Sequence, residues 1–348
     1  YESLWKVLKE HFDDPRLLQL FGRYTTYCGS SPFQTPATLM LIAHVEAQGV
    51  WAIEGGMSAL ATALEKLAKS QGVIFRYNAP VARIDVRNQS VTAVELASGE
   101  RIATGKVIFN GDPAALASGL LGDAVTPAVR KVPAQARSLS ALVWLANCKS
   151  DGFALDHHNV FFSPDYPREF REIKAGSPPG APTAYVCALD RGTGQNVPKG
   201  RERLQIIVNA PANGDRQIYS TEERETCTSN MLARLSACGL ELENPLPHRL
   251  VTPSDFATLF PATGGALYGR ASHGWAASFL RPGSRTSIRG LYCAGGATHP
   301  GAGVPMAALS GRQASEALLS DHISTRWYHR RDIAGGISTR SVMTNATG

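Results

Sequence analysis

The segment Gly290-Leu-Tyr-Cys-Ala-Gly-Gly-Ala-Thr-His-Pro-Gly-Ala-Gly-Val-Pro-Met-Ala-Ala-Leu-Ser-Gly311 limits the possible folds of this chain more than any other. Leu291 to Ala294 is a short apolar run, sized for one buried strand. Gly295 to Gly303 carries four glycines and Pro300, so it reads as a loop. Pro305 to Leu319 has helical composition, with proline in the first turn and apolar residues returning three and four places on. A strand that passes through a glycine loop into a helix N-terminus leaves a cluster of unpaired backbone N–H groups. Such a cluster favours an anionic or carbonyl-rich ligand, and glycines let a flat ligand lie on the backbone. By spacing alone, the segment is equally a turn-rich connection between strand and helix.

The rest of the chain supplies a mixed set of elements. Residues 1–50 read as helical, with Asp14-Pro15 and Thr35-Pro36 each a cap followed by proline at the first helical position. The run from Ala37 is apolar almost all round, which predicts burial in the core ahead of contact with lipid or an apolar cavity. Ser58 to Lys69 predicts a helix with Leu60, Leu64, Leu67 and Ala68 on its apolar face, closed near Gly72. Strands are expected at 73–77, 81–86 and 91–96, then at 101–106 and 107–110. Further strands are expected at 138–145, 183–189, 204–209 and 247–251, with a helix at 222–240. Segments 176–182 and 192–200 are dense in glycine and proline and read as loops. Residues 321–348 lose periodicity and read as a disordered tail.

Composition sets limits on function. A length of 348 residues accommodates one large or two interleaved domains. The net charge of +6 is mild, and no basic stripe is interleaved with aromatics, so nucleic acid is not an expected partner. The six cysteines show no short metal spacing and read as buried free thiols of a reducing compartment. No apolar run is long enough for a spanning helix.

No catalytic triad, carboxylate pair or metal cluster emerges from spacing. Adjacent residues point apart on a strand, so His157-His158 reads as a solvated loop pair and no metal site is expected. His299 differs because it lies inside the glycine loop. It either contacts a ligand there or braces the loop through a ring hydrogen bond.

Residues 291–311, together with Gly264-Gly265-Ala266-Leu267-Tyr268-Gly269 and Arg281-Pro282 to Arg285-Thr286, resemble the bacterial carotenoid desaturases. That is the phytoene desaturase group of the flavin amine oxidase superfamily, and the wording is most similar to its hydroxyneurosporene (1-hydroxycarotenoid 3,4-) desaturase branch. The resemblance covers about residues 1–320. It implies an α/β (α+β mixed) two-domain flavin amine oxidase fold. It also implies FAD as cofactor, held by Val81, Gly295, Gly296, Thr298, Gly301, Gly303, Pro305, Met306 and Ala307, with His299 as the one candidate catalytic residue. The implied reaction moves hydride from an allylic carbon to the flavin, and the implied substrate is a carotenoid reached from a membrane surface. The implied electron acceptor is quinone or oxygen, and the implied location is the cytoplasmic face of the membrane, peripherally. The implied division is a helical substrate or membrane-associated segment (1–50), part of the FAD domain (51–137), a substrate domain (138–280), the C-terminal FAD strand-loop-helix (281–320) and the tail. The group's opening Gly-x-Gly-x-x-Gly turn has no counterpart here, so the chain is expected to be a fragment lacking the N-terminal Rossmann βαβ segment. The rival expectations are a non-catalytic remnant that binds an apolar ligand or membrane, and an amine oxidase acting on a polyamine or porphyrinogen.

Overall fold

The computed structural model describes residues 2–191, 199–244, 246–274 and 276–331, with side chains of the last helix described to His322. Two short helices, α1 (Leu4–His11) and α2 (Pro15–Gly22), open the chain. Asp14 caps α2 by accepting from the Arg16 N–H at 2.8 Å, with Pro15 in the first turn as expected. After a 3-10 turn at Ala37–Met40 comes α3 (Leu41–Ala47), and then α4 (Met57–Ser70). The antiparallel strands β1 (Val81–Arg87), β2 (Ser90–Leu96) and β3 (Arg101–Ala103) form one small sheet. The strand β4 (Val107–Phe109) and helix α5 (Pro113–Ala117) follow.

The next unit is built on a five-stranded sheet. Its strands are β5 (Ser140–Cys148), β7 (His158–Phe161), β8 (Ala184–Ala188), β9 (Glu202–Ala210) and β11 (His248–Val251), in the order β11-β5-β9-β8-β7. Between these lie β6 (Ser150–Gly152), α6 (Tyr166–Lys174), α7 (Thr221–Ser236), β10 (Leu240–Leu242) and α8 (Pro253–Leu259). Strand β5 alternates against β9 from Ser140–Ala210 to Cys148–Glu202. One face of the sheet buries Trp144, Val186, Leu204 and Ile206 against Met231 and Leu235 of α7. The Trp144 indole N–H still finds a partner, donating to Thr228 Oγ1 at 3.0 Å, as a buried indole must to avoid an unmet donor. The chain then returns to the first unit through β12 (Leu291–Cys293), and the last described element is α9 (Val304–Arg331).

Several expectations need correction. Residues 73–77 form no strand, because β1 is an edge strand and no described residue pairs with that run. Thr35 does not cap a helix; its hydroxyl donates to the Ser31 carbonyl at 2.7 Å, and the following turn is 3-10. The run after it is not core: Leu41 is 65% exposed and Val45 62%. The apolar face of α4 is also open, with Leu64 and Leu67 exposed. Helix α7 stops at Ser236, because Gly239 turns with φ +85° and Leu240 already pairs with Gly152. The tail begins as helix, since α9 continues to Arg331; residues 332–348, and 192–198 of the second expected loop, lie outside the described residues. Cys148, Cys187, Cys227 and Cys293 are buried free thiols, whereas Cys28 and Cys238 are half-buried. Among the described residues, no helix is long and apolar enough to cross a membrane.

Candidate functional site

Strand β12 pairs in parallel with β4, Leu291 opposite Val107 and Cys293 opposite Phe109. Leu291 and Cys293 face a buried cluster with Ile84 of β1 and Val91 of β2. The three strands are all apolar on that side, so β12 ends at a fixed point. Two hydrogen bonds then set the direction of the loop. The Ala294 N–H donates to the Phe109 carbonyl at 3.0 Å, and the Gly295 N–H donates to Ser310 Oγ at 2.8 Å. Ser310 in turn donates to the Ala307 carbonyl at 2.6 Å. The fully buried Ser310 hydroxyl thus ties the end of the strand to the first turns of α9.

Within the loop, Gly295, Gly301 and Gly303 have φ of +117°, +134° and +105°, conformations that only glycine adopts without strain. A Cβ at Gly296 or Gly303 would meet no atom within 4 Å, so the loop presents bare backbone on an open side. Among the described residues, the N–H groups of Gly301, Ala302, Gly303, Val304 and Met306 donate to no protein acceptor. The Ala307 N–H is committed, donating to the Gly303 carbonyl at 2.9 Å as the first helical bond. The open N–H groups sit at the positive end of α9, an anion- or carbonyl-binding arrangement. Thr298 is fully buried, and its Oγ1 has no hydrogen-bond partner.

The loop is braced from behind. Arg281, 7% exposed, donates from Nη1 to the Tyr268 carbonyl at 2.8 Å and to the Gly296 carbonyl at 3.3 Å. Burial pulls its pKa down, with the neighbouring Asp112 partly opposing this. Asp112 caps α5 by accepting from the Ala114 N–H at 2.8 Å, and burial raises its carboxyl above the ordinary range. Neither Asp112 nor the bracing role of Arg281 was expected from sequence, where a charged residue reads as surface. The flanking Gly264-Gly265 and Arg281-Pro282 pairs were the only signal.

His299 is exposed, and its backbone N–H, not its ring, braces the loop by donating to the Pro282 carbonyl at 2.8 Å. The peptide bond from His299 to Pro300 is cis. Val304 and Met306 are exposed at the start of α9, one residue earlier than expected. Val81 opens β1, opposite Leu96 of β2, and is 43% exposed.

A second feature is a cavity of about 710 Å³ between the Ser31–Gln34 turn, α6 and the end of β9. Phe33, Leu139, Phe170 and Ile173 give it apolar walls, and Arg137, Arg171, Lys174 and Arg216 stand around it. His273 also lines it and accepts from the Ser31 N–H through Nε2 at 3.0 Å. Burial, with Lys174 nearby, pulls its pKa down to about 4, so the ring is neutral at neutral pH. Elsewhere, His157 and His158 do not point apart as expected: their ring centroids are 4.4 Å from each other. His157 precedes β7 and escapes its pleat.

A strand, an open glycine loop and a helix N-terminus together form a backbone site suited to a flat, anionic or carbonyl-rich ligand. The chain belongs to the flavin containing amine oxidoreductase family, which it matches over residues 6–319. It is 51% identical to hydroxyneurosporene desaturase of Rubrivivax gelatinosus, over 99% of this chain and 66% of that protein. It is 50% identical to hydroxyneurosporene desaturase of Cereibacter sphaeroides, over 92% of this chain and 64% of that protein. A 1-hydroxycarotenoid 3,4-desaturase of a Flavobacterium is 33% identical, over 88% of this chain and 63% of that protein. The chain therefore spans about two thirds of the length of these relatives. Among solved structures, an oxidoreductase from Methanosarcina mazei shares the fold, with a TM-score of 0.57 at 18% identity, covering 91% of this chain and 68% of that one. A putrescine oxidase variant shares it with a TM-score of 0.53 at 16% identity, over 93% and 68% of the two chains.

Proposed function

We propose that this chain belongs to an FAD-dependent carotenoid desaturase that introduces the 3,4 double bond into a 1-hydroxycarotenoid of the hydroxyneurosporene type. The observation that carries the reading is the loop at 295–303: bare glycine backbone, five open N–H groups and a helix N-terminus, in a chain half identical to hydroxyneurosporene desaturases. These residues fit a flavin, whose pyrimidine edge is planar and rich in carbonyl oxygen. When bound, the flavin accepts hydride from an allylic carbon.

The protein's own groups hold and bias that chemistry. Gly296 and Gly303 leave room for a flat ring; Gly301 and Gly303 allow the turn. The Met306 N–H, open at the start of α9, would hold a carbonyl-rich edge and favour negative charge on it. Ala307 supports this position through its bond to Gly303 instead of donating to the ligand. Arg281 and Ser310 fix the loop, so the donors are pre-aimed and need no reorganisation. Thr298 keeps a buried hydroxyl for the ligand, Gly295 and Pro305 shape the two ends, and Val81 offers its backbone to the nucleotide half. His299 is a positioning candidate at the exposed rim, its ring free to face a substrate.

The units read as 51–137 with 281–320 on the flavin side, and 138–280 on the substrate side. The cavity beside α6 suits a hydroxylated end of an apolar chain: aromatic and aliphatic walls, and a neutral His273 whose remaining ring donor is Nδ1–H. Of the four cations around that cavity, Arg137 is paired with Asp215 at 2.8 Å and Arg171 with Asp165 at 3.7 Å; the positive charge of Lys174 and Arg216 weighs against a protonated amine and so against a polyamine substrate. Access from a membrane surface is supported by the exposed apolar residues Leu41 and Val45 on α3 and Trp51 beyond it. Quinone or oxygen would be the final electron acceptor. The test is conversion of a 1-hydroxycarotenoid in liposomes by the intact protein. One further conjugated double bond, read as a red-shifted spectrum and a new chromatographic peak, is expected. Unchanged carotenoid with a protein that holds flavin and substrate would refute the reading.

A further inference from the structure

Strand β7 forms the outer edge of the five-stranded sheet, and its register with β8 sets His158 directly opposite Cys187. Directly opposed residues share one face of a sheet. His157, ahead of the strand, turns its ring into the same space. One donor atom from each of the three residues lies within 4.8 Å of the others. His157 Nε2 is 3.8 Å from Cys187 Sγ.

The rings are also prepared for coordination. His157 Nδ1 lies 2.6 Å from the Arg191 carbonyl. A carbonyl only accepts, so Nδ1 carries the proton and Nε2 presents its lone pair toward the thiol. His158 Nδ1 lies 2.7 Å from the Tyr185 hydroxyl, which orients that ring; a hydroxyl both donates and accepts, so it leaves the tautomer to the ion. Outer partners of this type orient the imidazoles of metal sites and raise their basicity. Bond lengths of about 2.3 Å to sulfur and about 2.0–2.1 Å to nitrogen, at a tetrahedral angle, require an N···S separation of about 3.5 Å. The His157–Cys187 pair needs to close by only a few tenths of an ångström, while the pairs with His158, within 4.8 Å, close by rotation of its exposed ring. The charge setting is mixed. Asp156 and Glu46 face His158 and favour a cation. Arg23, over the Tyr185 ring at 5.1 Å, opposes one, whereas Arg191 is neutralised by Glu202 at 2.7 Å.

We propose that His157, His158 and Cys187 bind one zinc ion on the edge of the large sheet, with the fourth position left to water. Binding replaces the thiol proton of Cys187, which leaves to solvent, and forms one Zn–S and two Zn–N bonds. Cys187 is buried and His158 exposed, so the ion enters from the His158 side. The ion would clip the edge strand to its neighbour, remote in sequence from the glycine loop and independent of its chemistry.

The test is titration of chelator-stripped protein with zinc chloride against a chromophoric chelator, and with cobalt as a spectroscopic probe. One equivalent of zinc is expected, with a thiolate-to-cobalt band that Cys187→Ser abolishes. His157→Ala and His158→Ala should each weaken zinc binding at least about tenfold, while His299→Ala leaves it unchanged. His158 is exposed, so its variant stays readable even where Cys187→Ser fails to fold. Less than one equivalent bound at micromolar zinc, or undiminished affinity in His158→Ala, would overturn the site.

Discussion

Glu169 of α6 provides a quantitative test of how this fold carries buried charge. Its carboxyl is 1% exposed and sits behind the cavity wall. Oε2 accepts from the Thr183 N–H at 3.0 Å and from the Thr183 hydroxyl at 2.6 Å, while Oε1 has no hydrogen-bond partner. Burial pushes its pKa up to about 7, with Thr183 offsetting part of that rise. The unfolded chain releases the same proton near 4.5. Between these two values the folded state holds a proton that the unfolded state has lost, so stability falls as pH rises. The stabilisation is complete below about 4.5 and gone above about 7. The interval of roughly 2.5 pH units, at 1.36 kcal/mol each, corresponds to about 3 kcal/mol. Most of it is lost between pH 5 and pH 8. Glu169→Gln removes the titration and keeps the shape, so its unfolding free energy should stay flatter over that window by about 3 kcal/mol. Urea denaturation of both proteins at pH 5, 6, 7 and 8 measures this, and equal slopes with pH for the two would refute the assignment.

Three further outcomes follow from the loop and its surroundings. Ser310→Ala removes the partner of the Gly295 N–H and should cost about 1–3 kcal/mol, seen as a lower urea midpoint at unchanged slope. Gly303→Val fills open space and forces a side chain into φ +105°, so the intact protein should lose bound flavin, read from its visible absorbance. Met306→Ala, which keeps the N–H, should retain it. Leu41→Lys changes an exposed residue and should alter stability by less than about 0.5 kcal/mol, while reducing co-sedimentation with liposomes; an unfolded variant would mean that α3 is core after all.

The loop was legible in sequence because its signals are local. Glycines, a proline and an apolar tetrad each act within a few residues, and their order forces strand, turn and helix. Strands β5, β8 and β9 were legible for the same reason, through apolar runs bounded by turn residues. What failed depends on partners distant in sequence. Residues 73–77 have strand composition but no neighbouring strand. The run after Ala37 has core composition, yet nothing described covers Leu41. Asp112 and Glu169 carried no sequence signal, and Arg281 stood out only as part of a motif; the packing around them is what buries all three. His157 and His158 meet because one of them stands just outside the pleat, a detail set by where β7 begins.

Helix α9 is fastened to β12 at two separate points. Ser310 holds Gly295 near its start, and Asp321 accepts from the Tyr292 hydroxyl at 2.9 Å and from Arg285 farther along. Eleven helical steps separate the fastenings, a span of about 16 Å. The nine residues from 295 to 303 therefore run between two clamped ends, like a bight in a rope made fast on either side and pinned along its length, at Gly296 by Arg281 and at His299 by Pro282. Changes in that bight alter what it encircles without unshipping the strand or the helix. Lengthening it carries only a small, logarithmic entropic penalty. Variation in ligand preference can thus accumulate there while the frame that presents it stays the same.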